Sequence, residues 1–393
     1  MSRSASPHNA LRHAEELRYR MPAEWEPHEA TWLAWPHNED DWPGKFEPIA
    51  WVYAEIIRNL SRHERVELIV NDAASGRRVR KILGRANAFS KNVRFHRWAT
   101  DRIWLRDSGC IFVDAHNDGA EMVAAAHPGS TKSRQLALTF CFNAWAKYSN
   151  YRRDQKIGGL MARHIPNPAA SEATRMGHTQ DPSGHRVCPV FGKARVVLEG
   201  GSIDVNGCGS ILTTEECLLS KIQQRNPRMS RKDYEKTFAD YLGAENAIWL
   251  GKGIAGDDTH GHVDDLARFV AAGTIVTVLE SNPKDINHKP LRENLHRLKR
   301  ARDQSGKPFT IAELPMPRPV VFNGRRLPAS YANFYIANRM VLVPVFNDPC
   351  DRVALNTLSE LFPSREIVPI YAGDLVWGFG TIHCMTQQQP RAL

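Results

Sequence analysis

The stretch that decides the fold class reads FEPIAWVYAEIIRNL at residues 46–60 and is followed, after a short polar gap, by VELIV at residues 66–70. The first segment has the length and apolar spacing of an amphipathic helix, and the second is a short apolar run typical of a buried strand. A second helix is predicted at residues 73–83 and a second strand at 93–96. Short strands that alternate with amphipathic helices predict an α/β fold.

The same alternation continues along the chain. Further strands are predicted at residues 196–198, 210–213, 266–270, 274–278, 341–345 and 366–370, and further helices at 231–242, 290–302 and 351–361. No GxGxxG motif follows a strand and no Walker sequence occurs, so a nucleotide-binding fold has no support.

Two segments differ in composition from the rest of the chain. Residues 1–20 are polar and charged, which predicts a poorly ordered leader without the apolar core of a secretory signal. Residues 167–186 are rich in Pro, Ser, Gly, His and Thr, which predicts a flexible insertion.

Composition excludes several classes of protein. The chain has 393 residues, 42% of them hydrophobic and 24% charged, which suits a globular protein with a sizeable core. Its apolar runs fall far short of the roughly 20 residues that span a bilayer, so we expect no membrane partner. The net charge of +9 comes from dispersed basic residues without a nucleic-acid-binding motif, so we expect no nucleic-acid partner.

Cysteine usage indicates the compartment. The seven cysteines are widely spaced and form no CxxC pair, so a zinc ribbon or a redox pair is not indicated. Without a secretory signal, these thiols are expected to stay reduced, and we predict a cytoplasmic protein.

Four segments carry residues that suit catalysis. They read DRIWLRDSG at 101–109, LEGGSI at 198–203, GDDTHGHVDD at 256–265 and GFGTIHC at 378–384. In the first, Asp107 either forms a surface pair or binds a guanidinium through two parallel hydrogen bonds. In the second, Glu199 ends an apolar strand, where a carboxylate can orient a histidine by accepting its second N–H. The glycines after Glu199 otherwise mark only a tight turn.

The third segment places an imidazole beside a carboxylate. His262 and Asp264 are two residues apart, and on an extended chain they share a face, together with His260. Such a pair suits general acid and base chemistry. The same letters resemble the HxHxD zinc signature of metallo-β-lactamase-type hydrolases, although Asp265 stands where that signature has a histidine. A polar loop with satisfied histidines is the remaining alternative.

The fourth segment presents a thiol in a glycine-rich turn. Cys384 would be a strong nucleophile once its thiolate is populated. Gly378 and Gly380 permit backbone conformations closed to other residues and a close approach to a ligand. The alternative is a structural cysteine.

Taken together, the four segments resemble the agmatine deiminase and bacterial-type peptidylarginine deiminase family, part of the guanidine-modifying pentein superfamily. The resemblance extends to MPAEWEPHEATWLAWP at 21–36, FNAW at 142–145, TTEECLL at 213–219 and MTQQ at 385–388. These matches run in the same order from about Met21 to Pro390.

The resemblance implies a fold and a set of roles. The fold is a five-bladed α/β propeller of ββαβ units around a central active-site cavity. Cys384 is implied to be the nucleophile, His262 the general acid and base, and Glu199 the residue that holds His262. Asp107 and Asp264 are implied to clamp the guanidinium.

The resemblance also implies the domain, the substrate and the partners. Residues 21–390 form a single catalytic domain, which works without a metal or organic cofactor. The substrate is a small guanidino compound, with agmatine first, and the protein is a homodimer or higher oligomer. We expect Trp104, Phe379 and Gly380 beside the substrate, and Glu26 as a candidate for reading its distal amine.

The sequence departs from the family pattern near the nucleophile. It has GFGTIHC where the family has GGGNIHC, so Phe379 replaces a glycine and Thr381 an asparagine. These differences lie close to the expected position of the substrate tail. They leave open free arginine, peptidyl arginine or another alkylguanidine, and an amidinotransferase in which an amine replaces water. A zinc hydrolase and an inactive guanidine-binding protein are further alternatives.

Overall fold

Five β-sheets of three or four strands form the framework of the part of the chain that the structure, a computed structural model, describes: residues 17–117, 134–165 and 186–392. The strands are β1 (Leu17–Arg20), β2 (His28–Ala34), β3 (Arg65–Val70), β4 (Val93–Arg97), β5 (Ile111–Asn117), β6 (Arg134–Leu138), β7 (Arg186–Val187), β8 (Val190–Phe191), β9 (Ala194–Arg195), β10 (Asp204–Val205), β11 (Ser210–Thr214), β12 (Asn246–Leu250), β13 (Ala267–Ala271), β14 (Thr274–Leu279), β15 (Thr310–Pro315), β16 (Val321–Phe322), β17 (Arg325–Arg326), β18 (Tyr335–Ala337), β19 (Met340–Val345), β20 (Glu366–Tyr371) and β21 (Gln387–Pro390).

Most of the described helices connect parallel strands within a sheet, and two short ones lie between one sheet and the next. They are α1 (Phe46–Leu60), α2 (Ala73–Arg85), α3 (Leu105–Ser108), α4 (Ile157–Ala162), α5 (Glu215–Leu219), α6 (Arg231–Leu242), α7 (His288–Arg300), α8 (Pro349–Leu361) and α9 (Ile382–Met385). None of the helices in the described ranges is long and apolar enough to cross a membrane.

The five sheets share one topology. In each, two antiparallel strands are followed by a helical crossover to a third strand that runs parallel to the second. The five sets are β21-β2-β3, β5-β6-β7, β10-β11-β12, β13-β14-β15 and β18-β19-β20. Strand β4 extends the first sheet and β1 the second. The predicted α/β class is confirmed.

Local sequence explains where the main helices begin. The periodic segment forms α1 with the bounds expected from the sequence, and it buries Ile49, Ile56 and Ile57. Each fully buried aliphatic side chain contributes roughly 1.5–3 kcal/mol to stability. Helix α8 begins two residues earlier than predicted because Asp348 forms a capping box and a proline occupies the first turn.

The strand predicted at 196–198 is wrong. Val197 forms only an isolated bridge to Cys141. Its backbone N–H donates to the side chain of Asn226 at 2.9 Å, and its carbonyl accepts from the same side chain at 2.7 Å. An asparagine amide therefore replaces a neighbouring strand on that edge.

The boundaries of the leader and of the insertion, both predicted from composition, agree only in part with the structure. Residues 17–20, which belong to the predicted leader, form β1 and pair antiparallel with β5. The predicted insertion at 167–186 lies outside the described residues except for Arg186, which begins β7.

Candidate active site

The side chains of the site come from corresponding places in the five sheets. Each lies in the short segment that precedes the first strand of an antiparallel pair. They are Asp107 before β5, Glu199 before β10, Asp264 before β13, Asn333 before β18 and Cys384 before β21. Four of these five residues were predicted from the sequence, and Asn333 was not.

Cys384 lies in α9, and its sulfur contacts the side-chain amide of Asn333. Asn333 Nδ2 lies 3.2 Å from Cys384 Sγ. The other end of this amide is fixed, because Asn333 Oδ1 accepts from Thr381 Oγ1 at 2.7 Å and from the backbone N–H of His383 at 3.0 Å. Thr381, which replaces the family asparagine, thus orients the group that contacts the sulfur.

The surroundings of Cys384 disfavour a thiolate in the free protein. The side chain is buried, with 6% of its surface exposed, and Asp264 Oδ2 lies 3.7 Å from the sulfur. Burial, followed by the negative charges of Asp264, Asp265 and Asp107, raises the pKa of the Cys384 thiol well above its usual value. A cation bound between these carboxylates would offset the part of this effect that comes from their charges.

The histidine segment is not extended as predicted. His260 and Gly261 have φ of 66° and 92°, and residues 263–265 form a 3-10 turn. The carboxylate of Asp257 accepts the backbone N–H groups of Gly261 and His262 at 2.7 and 3.0 Å and fixes this bend. The bend separates His260, whose Nε2 lies 3.1 Å from Ser220 Oγ, from the site. His262 and Asp264 still reach it.

The imidazole of His262 is buried beside Asp107. Its Nδ1 lies 3.9 Å from Asp107 Oδ2, and only 1% of its side chain is exposed. Burial opposes protonation, but the negative charge of Asp107 and other neighbours outweighs burial and raises the pKa of His262 well above its usual value. The free site therefore favours an imidazolium next to a neutral thiol.

Glu199 lies near the same ring. Its Oε1 accepts from Arg225 Nε at 3.0 Å, whereas Oε2 has no hydrogen-bond partner among the described residues. Ligand atoms of Glu199, Cys217 and His262 all lie within 4.8 Å of one another. Among the described residues this is the one group with such spacing, and it differs from the predicted HxHxD set, because His260 and Asp264 lie outside it.

Asp107 and Asp264 are held in different ways. Asp107 Oδ2 accepts from Trp145 Nε1 at 2.8 Å, and Oδ1 accepts from the backbone N–H of Gly201 at 3.0 Å. Burial raises the pKa of Asp107 to about 6 even though His262 lowers it. Burial also tends to raise the pKa of Asp264. The hydrogen bond from His383 and the charges nearby outweigh burial, so the pKa of Asp264 is lowered.

Behind Asp264 lies a buried network that sequence analysis missed. His383 Nδ1 is 2.7 Å from Asp264 Oδ2, and its Nε2 is 2.9 Å from Glu24 Oε2. Because ionised carboxylates only accept hydrogen bonds, both ring nitrogens donate and His383 is a cation. Glu24 also contacts Arg106 at 3.1 Å and Arg268 at 2.9 Å. His383 lies in the motif at 378–384 and Glu24 in the segment at 21–36, so their positions in these family-like segments were the only sequence feature that could have indicated them.

Cys384 and Asp107 border a cavity of about 280 Å³. Trp104, Asp107, Trp145, Phe379, Gly380 and Cys384 are among the residues that line it. A Cβ added at Gly380 would lie 2.7 Å from the Trp104 ring and 3.0 Å from Cys384 Cβ, so only glycine allows this approach. Phe379 adopts a left-handed conformation with φ of 66°, and the Arg325 guanidinium lies 4.1 Å from its ring centre.

The structure does not bring Glu26 to this cavity. The Glu26 carboxylate accepts two hydrogen bonds of 2.7 Å from Arg20 and one of 2.8 Å from the backbone N–H of Ala23. The other predicted substrate-contacting residues, Trp104, Phe379 and Gly380, all line the cavity.

Gly201 provides the first test of this geometry. An added Cβ would lie 2.5 Å from His262 Nδ1, 3.0 Å from Asp107 Oδ1 and 3.1 Å from Asp264 Oδ2. Gly201→Ala is therefore expected to displace these groups and to reduce kcat/KM by about 100-fold, the usual effect of a misplacement near 1 Å. Steady-state kinetics and a thermal melt would measure the effect.

Gly273→Ala is the matched control, because a Cβ there meets no atom within 4 Å. We expect its activity and melting temperature to be unchanged. Normal activity in Gly201→Ala would contradict the described packing of the three side chains.

Comparison with known proteins identifies the class. A model of the Porphyromonas-type peptidyl-arginine deiminase family matches residues 20–390. Agmatine deiminase of Pseudomonas syringae pv. tomato is 31% identical over 391 residues, with 95% of each chain covered. The structure of an Enterococcus faecalis agmatine deiminase superposes with a TM-score of 0.79 at 27% identity, covering 95% of this chain and 96% of the other. A C. jejuni agmatine deiminase with substrate bound gives 0.77 at 28% identity, covering 96% and 98%.

These findings define a hydrolase of the guanidine-modifying class, as the sequence predicted. The chain belongs to the Porphyromonas-type peptidyl-arginine deiminase family.

Proposed function

We propose that this protein hydrolyses agmatine to N-carbamoylputrescine and ammonia through a thiouronium intermediate on Cys384. One observation carries the proposal: the buried Cys384 thiol and Asp107 line one small cavity, with Asp264 3.7 Å from the thiol and the His262 imidazole 3.9 Å from Asp107. The relatives described above are agmatine deiminases, and this supports agmatine as the substrate.

Binding would prepare the nucleophile. A guanidinium is planar and cationic, and carboxylates bind it through parallel hydrogen bonds. Asp264 Oδ1 has no hydrogen-bond partner among the described residues and is free to accept one. A guanidinium held between Asp107 and Asp264 offsets the negative charges that help to raise the pKa of Cys384, so the thiol loses its proton to solvent and the thiolate forms as the substrate arrives. Positioning of this kind can contribute about 7 kcal/mol towards the barrier.

The reaction then needs two attacks at one carbon. The Cys384 thiolate adds to the guanidinium carbon, and His262 gives a proton to the departing nitrogen as the C–N bond breaks and ammonia leaves. His262 next takes a proton from water, which adds to the same carbon. The C–S bond breaks, which releases the ureido product and restores the thiolate. Glu199 keeps the His262 ring oriented through both steps.

A guanidino acid such as free arginine is the second candidate. Asp258 lines the cavity and is paired with two cations, Lys147 Nζ at 2.5 Å and Arg325 Nη2 at 2.6 Å. Tyr148 donates to the same carboxylate. This cluster holds two positive charges against one negative charge, which suits an anionic substrate tail.

The deciding experiment measures ammonia release from agmatine, arginine, other guanidino compounds and an arginine peptide, in the presence of a chelator. Preferential turnover of agmatine would support the proposal. Preferential turnover of arginine would keep the chemistry and change the substrate. Absence of turnover by folded protein with every compound would refute hydrolytic deimination, and transfer of the amidino group to an added amine would identify an amidinotransferase.

We further propose the finer architecture. Residues 21–390 form one catalytic domain, a five-bladed propeller with the active site at its centre. The support is the repeated strand order of five sheets and the equivalent position of one site residue before each. A catalytic free thiol suits the reducing cytoplasm, and we propose a homodimer or higher oligomer there.

The pH dependence tests the clamp. Because burial raises the pKa of Asp107 to about 6, this carboxylate is ionised above that pH and protonated below it. A protonated Asp107 carries no negative charge to pair with the guanidinium, which itself stays positively charged at pH values around 6. We therefore expect kcat/KM to fall as the pH falls through about 6. Initial rates at low agmatine concentration would measure this limb.

Trp145→Phe is the matched variant. It removes the indole N–H that donates to Asp107 and lowers the pKa of that group. The acidic limb should therefore move to higher pH in this variant. A limb near pH 4, the range of an ordinary carboxylic acid, or a limb unmoved by Trp145→Phe, would show that Asp107 does not control it.

A further inference from the structure

Cys217 lies beside the proposed catalytic histidine and has no part in the mechanism described above. It belongs to α5, where Thr214 Oγ1 accepts its backbone N–H at 3.0 Å and fixes the first turn. Its side chain is fully buried. Together with Glu199 and His262 it offers three ligand atoms that all lie within 4.8 Å of one another.

The polar atoms of this group have little else to bind. Glu199 Oε2 and both ring nitrogens of His262 are buried and have no hydrogen-bond partner among the described residues. Buried polar groups normally find partners, so these orphan atoms point to a ligand that accepts several lone pairs at once. A sulfur, an imidazole nitrogen and a carboxylate oxygen form a set that zinc binds well.

We propose that Glu199, Cys217 and His262 form an inhibitory site for Zn²⁺ or a similar thiophilic divalent cation. Ligand bonds of about 2.0–2.3 Å in a tetrahedral site place the ligand atoms roughly 3.5 Å apart, so the three side chains need to close by about 1 Å. Three protein ligands leave the fourth position to water. The sulfur binds as a thiolate and His262 as a neutral imidazole, so each of the two groups loses one proton to solvent when the metal binds.

The charges around the site permit such an ion. Arg225 lies 3.0 Å from Glu199 and opposes a second cation. Glu199 already balances Arg225, so the Cys217 thiolate balances one of the two charges of the ion. Asp107, which lies 3.9 Å from the His262 ring, is a further negative charge near the site. All three ligands are buried, so protein groups would supply three of the four ligands of the ion.

Metal binding here would stop the reaction without contact to Cys384. It would take a lone pair of His262, which moves protons in the mechanism, and the free oxygen of Glu199, which orients the His262 ring. This consequence rests on the proposed function. The site itself does not, because it depends only on the position of the three ligands.

The test of the site uses Co²⁺ as a probe, since a cobalt–thiolate bond gives a charge-transfer absorption in the near ultraviolet. The Cys384→Ala protein keeps all three proposed ligands and lacks the nucleophilic sulfur. We expect it to show this absorption with saturable binding, and the further change Cys217→Ser to remove it. Cys208→Ser in the same background is the matched control, because Cys208 is an exposed thiol, and should leave the absorption unchanged.

Absence of the band in Cys384→Ala, or its survival after Cys217→Ser, would overturn the proposal. This readout requires no turnover, so it stands even if the proposed function fails. It also does not depend on the folding of Cys217→Ser, because the first arm uses a protein in which Cys217 is intact.

Inhibition supplies the second arm. We expect Zn²⁺ to inhibit ammonia release by the wild type reversibly, with recovery on addition of a chelator. Loss of even an outer partner of a metal ligand weakens binding by roughly 10–100-fold. Cys217→Ser, compared with its own metal-free rate, should therefore need at least about 100-fold more Zn²⁺. Equal sensitivity of the two proteins would place the ion on Cys384 and refute the site.

Discussion

Replacement of Cys384 by alanine is expected to reduce kcat/KM for agmatine by at least about 10⁴-fold, the scale on which loss of a catalytic nucleophile acts. No other thiol lines the cavity among the described residues, so no neighbour can take its place. The two carboxylates of the clamp remain in the variant. Agmatine should therefore still bind, and titration calorimetry would detect this while the ammonia assay detects the loss of turnover.

Cys350→Ala is the matched control. Cys350 is a free, partly buried thiol at the start of α8, and its loss should leave both binding and turnover intact. Residual activity of Cys384→Ala above about one hundredth of wild type would exclude a covalent intermediate on this sulfur, since general acid and base groups alone contribute about 100- to 10⁴-fold. Loss of agmatine binding in the same variant would mean that the clamp depends on the thiol.

The regular elements were largely predictable because their signals are local. The apolar spacing of residues 46–60 and the short apolar run at 66–70 each specify an element without reference to the rest of the chain. The strand predicted at 196–198 failed for the opposite reason. The partner of its backbone is the side chain of Asn226, about 30 residues later, and no window of sequence contains that contact.

The site residues likewise fall into those that local sequence indicates and those that only distant contacts reveal. Cys384, His262 and Glu199 stand in motifs of glycine and charged residues that are unusual enough to be noticed in isolation. Asn333 has no such surroundings, and its importance comes from the Cys384 sulfur 3.2 Å away. Glu26 shows the converse error, since a carboxylate in a suggestive motif is held by Arg20 away from the cavity.

The prediction that His262 and Asp264 reach the same site holds, but the extended backbone from which it was made does not occur. An extended chain would have put His260, His262 and Asp264 on one face. Positive φ at His260 and Gly261 turns the first of these away, while the 3-10 turn brings the other two to Cys384 and Asp107. Two residues of a sequence pattern can thus reach one site without the local geometry that the pattern suggested.

Buried charges connect the site to the framework. Asp264 contacts His383, His383 contacts Glu24, and Glu24 contacts Arg268. Each member lies in the interior, where an unpaired charge costs far more than at the surface. The clamp is therefore held by a chain of alternating charges that must stay complete, and Arg268 at its far end is a test of that idea.

Arg268→Met is expected to lower the free energy of unfolding by about 3–5 kcal/mol, the usual cost of removing one partner from a buried ion pair. Arg268 is fully buried and contacts Glu24 at 2.9 Å and Asp204 at 3.2 Å. Burial opposes ionisation of Glu24, but Arg268 and other cations keep the pKa of Glu24 well below its usual value. Methionine fills similar space but leaves two carboxylates without this cation. Urea unfolding at neutral pH would measure the change.

The loss should shrink as the pH falls. In the wild type the depressed pKa of Glu24 contributes stability above the pKa of an unfolded glutamate, near about 4.3, and this contribution disappears in acid. In Arg268→Met both carboxylates become easier to protonate, so the variant approaches the wild type as the solution is acidified. A difference that is independent of pH would indicate lost packing rather than unpaired charge.

Two further proteins separate these causes. Arg300→Met changes an exposed arginine on α7 and should shift stability by no more than about 0.5 kcal/mol. Arg268→Met combined with Asp204→Asn removes one of the stranded charges and should recover at least about 1 kcal/mol. If the double variant is no more stable than Arg268→Met alone, Asp204 does not carry an uncompensated charge, and the destabilisation must come from Glu24 or from the lost hydrogen bond to the carbonyl of Phe334, 2.8 Å from the guanidinium.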